Sequence, residues 1–138
     1  MEFEPVIGLE IHVELKTKSK MFSNAPVVYG KEPNTQVAPL DMAFPGTLPV
    51  VNKQAVIDAI RVCHSLHMTI DNELHFDRKN YFYSDLPKGF QITQDKRPIG
   101  REGYLEIEID GKKKRIGIES NTVHSGTSTS HTLNNKGV

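Results

Sequence analysis

The 138-residue chain balances 17 Lys and Arg against 17 Asp and Glu, for a formal net charge of zero, and carries a single cysteine. Zero net charge excludes a whole-molecule field that would pull the protein onto nucleic acid or an anionic membrane, so any RNA contact must be local. One thiol excludes an internal disulfide and a cysteine-rich zinc site, and the length suits one folding unit with a real core.

The opening MEFEPVIG is acidic, with no basic stretch ahead of an apolar run, and no apolar segment is long enough to span a bilayer. Together with the lone thiol this predicts a soluble, cytoplasmic protein with no membrane partner. The first element follows at once. In GLEIHVEL, Gly8 to Leu15, the apolar Leu9, Ile11, Val13 and Leu15 alternate with Glu10, His12 and Glu14. Strict alternation predicts a half-buried strand, with the acid, imidazole and acid sharing its other face. Neighbours two apart on such a face sit about 6.5 to 7 Å apart, near enough to converge on one cation or polarise one substrate group. The same pattern also fits a plain polar exterior, because antiparallel sheets commonly have one wet side.

Between Lys16 and Val51 the prolines at 26, 33, 39, 45 and 49, with Gly30 and Gly46, forbid long helices and central strands. An ordered loop wrapping the core is expected. Asn52 then stands as an N-cap for a helix from about Lys53 to His67, with Val56, Ala59, Ile60, Cys63 and Leu66 at helical spacing. Cys63 falls on the apolar stripe, which reads as a buried structural thiol. His64 and His67 fall at the polar edge and the C-terminal turn.

The stretch FDRKNYFYSDLPKGFQITQ, Phe76 to Gln94, gathers five of the ten Phe and Tyr residues. They are interleaved with Arg78, Lys79, Asn80, Lys88, Gln91 and Gln94, a mixture able to stack bases, neutralise phosphate and hydrogen-bond a polar substrate. Composition alone fits an aromatic core with a polar edge equally well. Pro87-Lys88-Gly89 forms a turn that can hold Lys88 away from the core. YLEIEIDGKKKRIGI reads as a hairpin closed by Asp110-Gly111, setting Glu108 opposite Lys113, Glu106 opposite Arg115, and Leu105 opposite Ile116. Cross-strand ion pairing thereby accounts for KKKR without RNA. Residues 119–138 are rich in Ser and Thr and poor in large apolar groups, so a mobile tail or loop is expected after a domain covering 1–118. Within that tail His124 and His131 read as solvated. No glycine cradle for phosphates, no GxSxG and no Cys-His arrangement is present, so chemistry here would be metal-assisted.

VIGLEIHVELKTKSKMF, EPNTQ, PGTLPVVNK, FDRKNYFYSDLPKGFQITQ and GYLEIEIDGKKKRIGI, in that order from about Phe3 to Ile118, resemble the N-terminal part of the B subunit of the tRNA-dependent amidotransferase. The resemblance implies an α+β catalytic cradle: a mostly antiparallel sheet with one main helix and a long Pro-rich wrap. It implies use of ATP and Mg²⁺ to activate the side-chain carboxylate of glutamyl-tRNA(Gln) or aspartyl-tRNA(Asn) as an acyl phosphate. Ammonia from a glutaminase (A) subunit then amidates it, within a complex that also holds a C subunit and the misacylated tRNA. Glu10 and His12 match the metal-associated, catalytic pair; Glu14 belongs to the same motif. Mn²⁺ is as reasonable as Mg²⁺ from ligand type. Lys79, Tyr81, Tyr83, Lys88 and Gln91 fall in the block assigned to the substrate end and the nucleotide, with Lys79 and Lys88 as anion contacts. The chain departs from the family in two places. The His-x-Glu-Glu-Asp-Ala-Gly block that normally follows the IGI strand is replaced by IESNTVHSGTSTSH, and the Pro-rich loop lacks the paired cysteines of zinc-binding members, so zinc is not expected. The alternative is a non-catalytic module that docks a partner subunit or a tRNA end.

Overall fold

The computed structural model describes residues 3–85 and 89–125, and the backbone of 128–134. Among these, seven strands and one helix follow in chain order: β1 (Gly8–Glu14), α1 (Lys53–Ser65), β2 (Thr69–Ile70), β3 (Asp77–Asn80), β4 (Phe90–Thr93), β5 (Gly100–Ile109), β6 (Lys112–His124) and β7 (Ser128–Asn134). Five strands form one sheet in the order β1-β7-β6-β5-β2, and β3 pairs with β4 as a separate ribbon. All these pairings are antiparallel. The α+β architecture expected from the sequence is the one observed.

Local chemistry explains the elements. Asn52 caps α1 by accepting from the backbone N–H groups of Gln54 and Ala55, at 3.0 and 3.3 Å. Its amide nitrogen donates back to Ser19 Oγ and to the Ser19 and Lys20 carbonyls, so one side chain starts the helix and ties down the wrap. The helix ends two residues before the expected His67, because Leu66 turns away as C-cap and His67 adopts a φ of 53°. Its most buried stripe is Ala55, Ala59 and Cys63, with Val56, Ile60 and Leu66 partly buried beside it. Asp110 and Gly111 take φ angles of 51° and 73°, and the β5-β6 register pairs Glu108 with Lys113, Glu106 with Arg115 and Leu105 with Ile116. This is the register expected from the turn residues.

The core lies where α1 crosses the sheet, joining Ala55, Ala59 and Cys63 to Met21, Met68, Ile99, Ile118 and Val123. The approach is close because β5 offers no side chain there: a Cβ at Gly100 would strike Cys63 Sγ, and one at Gly103 would strike Met68. Burial raises the Cys63 thiol pKa, and Asn121 donates to its sulfur at 3.1 Å. Residues 15–52 hold no helix or ladder strand beyond the isolated bridge of Ser19 with Pro26, in keeping with their prolines.

Two expectations need revision. Residues 119–124, expected in a solvated tail, complete β6, with Asn121, Val123 and His124 buried, and β7 pairs between β6 and β1. Low apolar content misled because a strand inside a sheet is held by ladder hydrogen bonds on both edges. The side chain of His131 lies outside the described residues. The apolar face of β1 is also less covered than alternation suggested: Leu9, Ile11 and Val13 are all exposed, and of the four apolar residues Leu15 alone reaches the core.

Candidate functional site

The β3-β4 ribbon stands against the far end of β6 and carries different chemistry on its two sides. The short strand FQIT alternates, so Phe90 and Ile92 face an apolar cavity of about 920 Å³ under the Pro-rich wrap. Gln91 and Thr93 face a polar cleft of about 350 Å³. Four hydrogen bonds help to pin the ribbon in place. Ser125 N–H donates to the Ile92 carbonyl at 2.8 Å, and Ile92 N–H donates to Ser125 Oγ at 3.2 Å. Gln94, fully buried, accepts from Val123 N–H at 3.1 Å and donates to the His75 carbonyl at 2.9 Å.

The polar cleft is where the sequence motifs meet. Glu10 and His12 enter from β1, Lys79 and Tyr81 from β3 and the residue after its end, and Gln91 from β4. Lys79 and Gln91 are directly paired across the ribbon. The sheet floor completes the site. His12 pairs with position 130 of β7, which pairs with Thr122 of β6, so one row of the pleat carries His12 to Thr122. Neighbouring rows relate Glu10 to Ser120 and Glu14 to His124 in the same way. Glu10 Oε1 and His12 Nε2 lie 3.2 Å apart. The two side chains converge in the cleft as an oxygen and a nitrogen donor side by side, a pair able to serve as two adjacent ligands of a divalent cation. Among the described residues no three His, Cys, Asp or Glu groups form a ready metal cage, so water or substrate oxygens would complete the shell.

Two residues of the expected motifs are placed otherwise, and a third lies outside the described residues. Tyr83 is 68 % exposed and does not line the cleft. Glu14 turns to the wrap, where the Tyr29 hydroxyl donates to its carboxylate, and that contact raises the Tyr29 pKa. Lys88 lies outside the described residues. Five lining residues were missed: Thr93, Asp95, Ser120, Thr122 and His124. A signal existed for the first two, since Gln91, Thr93 and Asp95 keep the same parity along FQITQD. Extending the Asp110-Gly111 register down β6 would have found the others, had residues 119–124 been read as strand.

His124 is the most enclosed of these, at 5 % exposure. Its ring meets that of His12 edge-on, with centroids 5.7 Å apart. Lys79 Nζ sits 5.7 Å from the Tyr81 ring centre, which holds its charge at the cleft wall. The cleft thus offers a carboxylate and imidazole pair for a cation, a lysine for an anion, and a floor of hydroxyls and imidazole.

The family described as GatB/GatE catalytic domain matches residues 5–137. The curated B subunit of an aspartyl/glutamyl-tRNA(Asn/Gln) amidotransferase from Mycoplasma mobile is 57 % identical over 134 residues, which is 97 % of this chain and 28 % of the relative. Proteins of the same name from Lacticaseibacillus casei and Staphylococcus aureus are 60 % and 59 % identical over 118 residues, each covering 86 % of this chain and 25 % of the relative. The chain therefore spans about a quarter of the length of these relatives.

Proposed function

The chain belongs to the GatB/GatE catalytic-domain family, and from that membership we propose that it forms part of the carboxylate-activating site of a tRNA-dependent amidotransferase. The observation that carries the reading is the single cleft joining Glu10 and His12 to Lys79, Tyr81 and Gln91. A carboxylate is a poor electrophile until one of its oxygens becomes a good leaving group, so such a site must hold a carboxylate beside a phosphoryl donor while neutralising the charge of both.

In this proposal the side-chain carboxylate of the misacylated tRNA attacks the γ-phosphorus of ATP, ADP departs, and an acyl phosphate results. Ammonia delivered by a glutaminase subunit attacks the acyl carbon, phosphate leaves, and one proton is lost to give the amide. Glu10 and His12 hold Mg²⁺ or Mn²⁺, which when bound offsets phosphate charge. Lys79 supplies a second positive charge, kept within the cleft by the Tyr81 ring. Tyr81 and Gln91 form its polar wall. Partners of this kind, A and C subunits and tRNA, are proposed for the assembly in which the segment works.

Calorimetric titration of the chain with Mn²⁺ and with Mg²⁺ tests the reading. Binding in the wild type, lost in Glu10→Gln and His12→Ala and kept in Tyr83→Ala, is expected. A wild type that binds neither cation overturns it and favours the docking-module alternative.

A further inference from the structure

Among the described residues two carboxylates line the polar cleft, Glu10 and Asp95, and the activation chemistry gives a role to Glu10 alone. Asp95 stands just past the end of β4, so that Gln91, Thr93 and Asp95 form one row along the cleft wall. The ribbon register fixes the order of charge in that row. Lys79 pairs with Gln91, Asp77 pairs with Thr93 one step of about 6.5 to 7 Å further on, and Asp95 follows beyond. This wall carries an ammonium towards one end and a carboxylate at the other.

The chain is anchored on both sides of Asp95. Gln94 before it is fully buried, bonded to the His75 carbonyl and the Val123 N–H. Lys96 after it donates its backbone N–H to Asp77 Oδ2 at 2.9 Å. Asp95 itself is exposed, and among the described residues no ion pair engages its carboxylate. The charged groups around it are committed elsewhere: Asp77 to that Lys96 N–H, and Arg97 to Asp71 and Glu73. Asp95 is thus a held carboxylate presented to whatever enters the cleft.

A misacylated amino acid carries charge in the same order. Its α-carboxyl is consumed in the ester to tRNA, which leaves a positive α-ammonium at one end and the side-chain carboxylate at the other. We propose that Asp95 is a substrate-binding residue of this cleft, its carboxylate accepting a hydrogen bond from the α-ammonium of the esterified amino acid. The inference deepens the carboxylate-activation reading and rests on it. Lys79 and the bound cation face the side-chain carboxylate, Asp95 takes the ammonium by a charge-assisted hydrogen bond, and together they set which end of the amino acid meets the phosphoryl donor.

Calorimetric titration of the chain, in the presence of Mn²⁺, with L-glutamate α-methyl ester and with monomethyl glutarate tests the assignment, because the two esters differ only in the α-ammonium. The wild type is expected to bind the ammonium-bearing ester about tenfold more tightly, as one hydrogen bond between charged groups should give. Asp95→Asn is expected to bind both esters alike, with its Mn²⁺ binding and its affinity for monomethyl glutarate unchanged. Asp95→Glu is expected to keep the preference. Equal binding of the two esters by the wild type, binding of neither, or a preference that survives in Asp95→Asn overturns the inference and leaves the activation reading standing. A wild type that binds no Mn²⁺ overturns the activation reading, and the inference falls with it.

Discussion

β1 and the final third of β6 both have β7 as a neighbour, yet one is exposed at every position and the other is nearly sealed. Val13 of β1 and Val123 of β6 both pair with position 129 of β7. Val13 is 44 % exposed and Val123 is 0 % exposed. Alternation states which side chains share a face; it does not state whether anything covers that face. Coverage follows from place in the sheet, since β6 lies under α1 and behind the β3-β4 ribbon, whereas β1 is an edge strand. The cleft depends on this asymmetry. A sealed β6 holds His124 and Thr122 in place, and an open β1 leaves Glu10 and His12 accessible to ligand.

The sharpest test substitutes the two valines. Val123→Ala is expected to destabilise by about 2 to 3 kcal/mol, the transfer and cavity terms of a fully buried side chain. Val13→Ala should change stability by less than about 0.5 kcal/mol, as exposed substitutions usually do. Both are read from urea midpoints, and equal losses would break the comparison. Next, Gly100→Ala should cost about 1 to 3 kcal/mol by forcing α1 off β5, because the new Cβ meets Cys63 Sγ. Cys63→Ala in the same chain should recover part of that loss, and a purely additive double mutant would contradict the packing argument.

The smallest effect is expected at the opposite edge of the sheet, beyond β2. There Arg97 donates to both Asp71 oxygens, at 2.7 and 2.8 Å, and to Glu73 at 2.8 Å. The Arg97 hydrogen bonds hold the Asp71 carboxyl well below its usual range. Glu73 is lowered as well, by His75 first and then by Arg97. Depressed carboxylates contribute stability that is present above their unfolded pKa, about 4, and is lost as pH falls through the folded value. Arg97→Gln should therefore lower the melting temperature at pH 7, with the gap to wild type closing below about pH 4. A gap independent of acid would show that Arg97 acts by packing alone.

Some of this protein was legible as a string of letters because the determinants are local. Asn52 caps by contacts two and three residues away, Asp110-Gly111 sets a register by its own φ angles, and prolines exclude regular structure where they stand. Long motif blocks likewise carried the family. The membership of the site was only partly legible, because Glu10, His12, Lys79, Tyr81 and Gln91 could be named without any residue-level reason that they meet. Tyr83 was included by adjacency and stands outside, and His124 was set aside by composition and stands inside.

Sequence by itself determined which side chains travel together on a strand face, where α1 starts, and how β5 turns into β6. Tertiary structure alone decided which faces are covered, that the ribbon stands against β6, and that Tyr81, Gln91 and His124 join in one hydrogen-bonded line. The physical reason is range: caps and turns act through bonds a few residues apart, whereas the cleft is closed by contacts some 33 positions apart, such as Gln91 to His124, which no local pattern encodes.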